Sequence, residues 1–97
     1  MKIQILAEAQ QDLLNGYYFY ESQQMDLGDY FYDSLFADID SLLLYAGVHQ
    51  KVNSFHQKMA TKFPFAIYYK IQGDMIQVYA VLDCRKNPTW INLRLNQ

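Results

Sequence analysis

Two apolar runs meet at Gly73-Asp74, and they constrain the fold of this chain more than any other feature. KFPFAIYYKIQ precedes the pair and MIQVYAVLD follows it. In the first run Phe65, Ile67, Tyr69 and Ile71 alternate with Ala66, Tyr68 and Lys70. In the second, Ile76, Val78, Ala80 and Leu82 fall on one side. A period of two predicts strands, and a Gly-Asp pair between them predicts a tight hairpin. Both faces of that hairpin are largely apolar, so each needs cover.

Cover for one face lies upstream. KIQIL, residues 2–6, alternates like a short strand. From Ala7 the period lengthens: Leu6, Ala9, Leu13, Tyr17 and Tyr20 recur every three or four residues, with Leu14 and Tyr18 widening the stripe. That spacing predicts an amphipathic helix reaching about Gln24. Gly16 costs a helix roughly 1 kcal/mol relative to alanine, so packing overrides it or two backbones approach closely there. MDLGD, Met25 to Asp29, interrupts the pattern. A second helix follows, with Phe31, Leu35, Ile39, Leu42 and Ala46 as its stripe and Phe36 and Leu43 beside it. Asp29, Asp33 and Asp40 fall on its wet side, and Gly47 is placed to end it. Two helices joined by so short a break predict an antiparallel helical hairpin.

Beyond Gly47 the period returns to two: Phe55, Gln57 and Met59 alternate with His56 and Lys58. At the far end Asn87-Pro88 reads as the N-cap and first residue of a short helix, PTWINLRL. This C-terminal segment, or a partner chain, must cover the second face of the sheet. The predicted fold is α+β: an N-terminal strand, an antiparallel helical hairpin, a three-stranded antiparallel meander and a short C-terminal helix. One domain spans residues 1–97.

An apolar content of 52% with 16% aromatics excludes disorder. No apolar run approaches the ~18 residues of a membrane span, and the first ten residues lack the apolar core of a signal peptide. Cys84 is the only cysteine, which excludes a disulfide framework and a cysteine-based zinc site. A cytoplasmic protein without membrane contact is expected. Charge divides unevenly. Residues 1–46 hold one base against eight acids, a net of −7, and residues 47–97 hold seven bases against two acids, a net of +5. The basic half suits an acidic partner; equally, it is a mildly basic sheet beside a solvated acidic helix.

Chemistry is sparse. His49 and His56 stand seven apart with no metal-ligand pattern around them, and no glycine-rich phosphate loop exists, so no metal or cofactor is expected. The densest polar cluster is Asp83, Cys84, Arg85 and Lys86, at the end of the last strand and just before Trp90. Cys84 beside Arg85 has the makings of a nucleophile, or is a buried strand-end cysteine. RNA cleavage needs a base, cations for the phosphorane and an acid for the leaving oxygen. His56, Lys58, Arg85 and Lys86 would supply part of that set if their strands converge, with Trp90 stacking on a base. The plainer reading is a solvated basic rim, with Trp90 pinning the last helix.

The order and local strings resemble the RelE/ParE superfamily of type II toxin–antitoxin toxins over nearly the whole chain. The carriers are AQQDLLNGYYFYE (Ala9–Glu21), LGDYFYDSLFADID (Leu27–Asp40), AGVH (Ala46–His49), FPFAIYYKI (Phe63–Ile71) and VLDCRKNPTWINLRL (Val81–Leu95). The resemblance implies a bacterial growth-inhibiting toxin, tied to plasmid stabilisation and neutralised by a cognate antitoxin that wraps its surface. RelE-like members are ribosome-dependent mRNA endonucleases with basic residues on the sheet and a tyrosine or histidine near the C-terminus. ParE-like members share the fold and block DNA gyrase by binding. Here the matching sheet positions read Gln57, Met59 and Ala66, which cannot stabilise a phosphorane. Arg85 matches the arginine after the last strand. Trp90 stands near the aromatic acid, but an indole N–H does not titrate. The ParE-like branch is favoured, although LDCRKNP lacks the histidine that many ParE-like members carry near Asp83 or Cys84. The residues implied to contact antitoxin or target are Arg85, Lys86, Trp90, His56, Lys58 and Tyr68. The alternatives are a ribosome-dependent nuclease using Arg85 with His56 or Lys58 on mRNA, and a toxin fold that has lost its activity.

Overall fold

Strand β1 (Lys2–Ile5) leads into helix α1 (Ala7–Glu21), which a short turn joins to α2 (Leu27–Asp40) and α3 (Leu42–Tyr45). Strands β2 (Lys51–Val52), β3 (Phe55–Met59), β4 (Phe65–Gln72) and β5 (Met75–Asp83) follow, and α4 (Pro88–Leu95) closes the chain. The computed structural model describes residues 1–96. The sheet order is β1-β5-β4-β3-β2. The α+β architecture expected from the sequence is present, with two additions. The sheet is mixed rather than wholly antiparallel, because β1 pairs parallel with β5, Lys2 opposite Met75. The meander also gains a fourth strand, β2, folded onto β3 by Asn53 (φ 52°) and Ser54 (φ 71°). Two successive residues at positive φ are the signature of a type I′ hairpin.

The hairpin of α1 and α2 packs on one face of the sheet. Ala9, Leu13, Phe31, Leu35, Ile39 and Leu42 are fully buried against Ile67, Tyr69, Ile76 and Val78. A Cβ on Gly16 would lie 2.4 Å from Phe31 Cζ, and one on Gly28 would lie 2.6 Å from the Tyr17 carbonyl oxygen. The two glycines therefore let the helices approach, which is why Gly16 survives inside a helix. The Glu21 carboxylate accepts from the backbone N–H groups of Gly28 (2.9 Å) and Asp26 (3.0 Å). It caps α2 from the end of α1 and so ties the two helices across the short connection.

Three details differ from the pattern read along the sequence. Leu14 and Tyr18 do not widen the buried stripe of α1; both are exposed, and Asp12 and Gly16 take the buried places instead. The second helix ends at Asp40 and resumes as α3. Ser41 lies between, its hydroxyl donating to the Asp38 carbonyl (2.6 Å). That offset leaves Leu43 exposed, while Gly47 (φ 92°) still follows the end of α3. Finally, Ile76, Val78, Ala80 and Leu82 do not share a face. Tyr69 pairs with Val78 and Tyr68 pairs with Ala80, so Tyr79 is an extra residue, a β-bulge. Beyond it the alternation inverts: Ala80 and Leu82 turn to the second face and Val81 joins the helix-covered core.

The C-terminal segment covers that second face, as the sequence requires. Leu95 and Ile91 of α4 pack with Phe55, Ala66, Tyr68, Ala80 and Leu82. Among the described residues no helix is long and apolar enough to cross a membrane.

Candidate functional site

Past Asp83 the chain turns sharply. Cys84 N–H donates to the Pro64 carbonyl (2.8 Å) and Lys86 N–H to the Asp83 carbonyl (3.1 Å). Asn87 then caps α4, its side-chain oxygen accepting from Thr89 N–H (2.8 Å), with Pro88 in the first helical turn. The helix runs back past α1 and leaves a cleft of about 490 Å³ between them. Gly16, Phe65, Val81 and Leu82 form its apolar base, while Phe19 and Trp90, both partly exposed, stand in its walls. Arg85, Lys86 and Arg94 line it, as do Asp12 and Asp83.

Two ion pairs organise the cleft. Arg94 forks onto Asp12, its two terminal nitrogens 2.7 and 2.8 Å from the two carboxylate oxygens. Asp12 also accepts the backbone N–H of Val81 (3.0 Å). Strand β1 has ended by this level, so an α1 side chain satisfies a β5 donor that no strand reaches. The pair thus ties α1, β5 and α4 together, and its bonds to Asp12 hold the guanidinium above its ordinary pKa. The second pair is local. Arg85 donates to Asp83 through its backbone N–H (2.8 Å), Nε (3.0 Å) and a terminal nitrogen (2.8 Å). That nitrogen also donates to the Tyr20 hydroxyl (3.3 Å). The bonds from Arg85 hold the Asp83 carboxyl below its usual range, and those to Asp83 raise the arginine further. Lys86 has no carboxylate partner among the described residues; its ammonium lies 5.8 Å from the centre of the Trp90 ring. Cys84 is exposed just past the end of β5, not buried at it; desolvation, with Asp83 beside it, pushes its thiol up, so it stays protonated and is a weak nucleophile.

Arg85, Lys86 and Trp90 therefore share one cleft. His56 and Lys58 lie elsewhere, opposite Tyr69 and Ile67 on β3, two strands from β5. They share a face of the sheet, the one that α1 and α2 cover, and neither lines the cleft. His56 is engaged: its Nδ1–H donates to the His49 carbonyl (2.8 Å), and its ring stacks on Tyr69 at 5.0 Å. The Tyr69 hydroxyl accepts from Gly47 N–H (3.0 Å) and shares a hydrogen bond with Nδ1 of His49 (2.5 Å). Burial first, then the charges of Lys58 and His56, keep His49 below its ordinary pKa. Tyr68 is buried on the opposite face, where it accepts from the Gln57 side chain (3.0 Å) and burial raises its phenol. Among the described residues no group of three His, Cys, Asp or Glu side chains gathers to hold a metal.

Four cleft residues were not singled out in the sequence: Asp12, Asn15, Phe19 and Arg94. One signal existed. Asp12 falls among Ala9, Leu13, Gly16 and Tyr20, the buried stripe of α1. A carboxylate there demands a cation or several donors.

No protein-family model and no curated protein matches the chain. A solved structure does: it is described as a chromosomal ParDE TA system from P. aeruginosa, and it superposes with a TM-score of 0.70. The fold is one found in a ParDE toxin–antitoxin system. The match covers 84% of this chain and 92% of that one at 16% identity, so what is shared is architecture. The RelE/ParE-like fold expected from the local strings is present. The ParDE-like frame also accounts for the cleft's position, because strand end, turn and α4 all follow from the order of elements.

Proposed function

We propose that this protein is the toxin of a type II toxin–antitoxin pair, of the ParE-like branch. It acts in the cytoplasm by binding DNA gyrase, and a cognate antitoxin neutralises it. The ParDE-like fold supports the toxin reading. The observation that favours a binder over a nuclease is the Asp83 clamp on Arg85. A phosphorane-stabilising arginine must point free cation at the substrate, and here the Asp83 carboxylate, two residues before Arg85, already takes two of its side-chain nitrogens. His56, the candidate base, donates its Nδ1–H to a backbone carbonyl and lies two strands away from β5. Trp90 offers no titrating proton. Arg85, Lys86 and Trp90 form the centre of the contact surface.

Conditional expression without antitoxin tests the reading. Growth arrest with relaxed plasmid supercoiling and unchanged mRNA 5′ ends is expected. New mRNA ends that disappear in Arg85→Ala would replace gyrase with the ribosome as target. Normal growth would identify a toxin fold without toxicity.

A further inference from the structure

The charges in the cleft do not cancel. Asp12 is consumed by Arg94 and by Val81 N–H, and Asp83 by Arg85. What remains is one ammonium, Lys86, and the outer edge of Arg85, whose side chain is 56% exposed. Below that cationic lip the base is apolar, and Phe19 and Trp90 leave 49% and 41% of their surfaces open beside it. A surface with one unmatched positive lip over an apolar trough selects a ligand that carries both features a few ångströms apart.

We propose that the cleft seats an acidic–apolar peptide segment of a partner protein. A glutamate or aspartate carboxylate meets Lys86 and the outer edge of Arg85, and an adjoining aliphatic or aromatic side chain enters between Phe19 and Trp90. Nucleic acid fits worse on three counts. Two carboxylates already line the walls, only one ammonium is unpaired, and Lys86 and Arg94 both lie 5.8 Å from the Trp90 ring centre, where a base would stack. The proposal deepens the reading of this cleft as the toxin's contact surface, but it can fail separately from that reading.

Trp90 is the only tryptophan, so its fluorescence reports on the cleft directly. The probe is an acetylated, amidated Gly-Glu-Leu-Glu-Leu-Gly peptide, compared with the same peptide carrying Gln for Glu. Saturable change of the emission with the Glu peptide is expected, with binding about three- to fivefold weaker for the Gln peptide, the scale of an exposed ion pair. Lys86→Gln should weaken the Glu peptide by a similar factor and leave the Gln peptide unaffected. Its circular dichroism should not change, since Lys86 is exposed. Phe19→Ser should weaken both peptides, and Lys51→Gln, remote on β2, neither. Equal binding of the two peptides overturns the proposal, as does no saturation by about 5 mM, beyond the weak limit of useful affinity. A single-stranded oligonucleotide that shifts Trp90 more strongly than the Glu peptide also overturns it and assigns the cleft to nucleic acid. Growth arrest on expression keeps the two readings apart: arrest with no peptide binding removes only this proposal, and peptide binding without arrest removes only the toxin.

Discussion

The two layers that flank the sheet are held by different means. On one side α1, α2 and α3 bury six side chains completely, and two glycines bring α1 and α2 into direct contact. On the other, α4 contributes one buried residue, Leu95, with Ile91 half-buried beside it. The first layer is positioned by apolar area, worth about 1.5–3 kcal/mol per large side chain. The second has too little area for that. It is positioned by directed polar bonds: the Asp12–Arg94 fork to α1 and the side-chain bond from Asn53, in the β2–β3 turn, to Asn92 (3.0 Å). A layer held by a few bonds can be placed accurately, yet one substitution releases it.

The contrast can be broken in order of size. Phe31→Ala should cost about 3–5 kcal/mol in urea unfolding, because the ring is fully buried between the helices and the sheet. Its loss should weaken the whole domain as one unit. Asp12→Ala should cost about 3 kcal/mol, because it strands a mostly buried guanidinium and a backbone donor. The distinguishing readout is hydrogen exchange: protection should fall first in residues 88–95, and a uniform fall would mean the layers are not separable. Asn87→Ala should cost about 1 kcal/mol and fray only the start of α4.

Acidity gives the smallest and most selective probe. His49 is held below the ordinary 6.5, chiefly by burial. The unfolded chain therefore takes the proton first, and stability falls as pH drops below about 6.5 towards the lower folded value. Asp83 is held below the ordinary 3.8, chiefly by its bonds from Arg85. The stability it adds is present above that value and is lost only as pH falls through the lower folded one. Exchange in the His49–Tyr69 rim should thus rise in mild acid while the lip of the cleft keeps its protection. Simultaneous loosening of both would contradict the assigned causes.

Elements with a strong period were legible in the sequence: both long helices, the Gly73-Asp74 hairpin and the capped α4. The faces of β4 were legible too. Those of β5 were not, because one extra residue at Tyr79 inverts the alternation and nothing in MIQVYAVLD announces it. Strand β2 was invisible for a different reason: two residues carry no period, and only the pairing partner β3 defines them. At the cleft, Arg85, Lys86 and Trp90 were found because they are neighbours in sequence. Asp12 and Arg94 were not, because a pair 82 residues apart is created by the fold.

The parallel pairing of β1 with β5 carries a consequence for how the chain is made. Residues 2–5 emerge from the ribosome long before their hydrogen-bonding partners at 75–78. A contact this distant forms late, after the loop between has closed. Until β5 appears, the nascent helical hairpin carries its apolar stripe without a sheet to bury it. The cleft needs side chains from Asp12 to Arg94, so it assembles only after Arg94 has been added. No chain cut short before Arg94 has it.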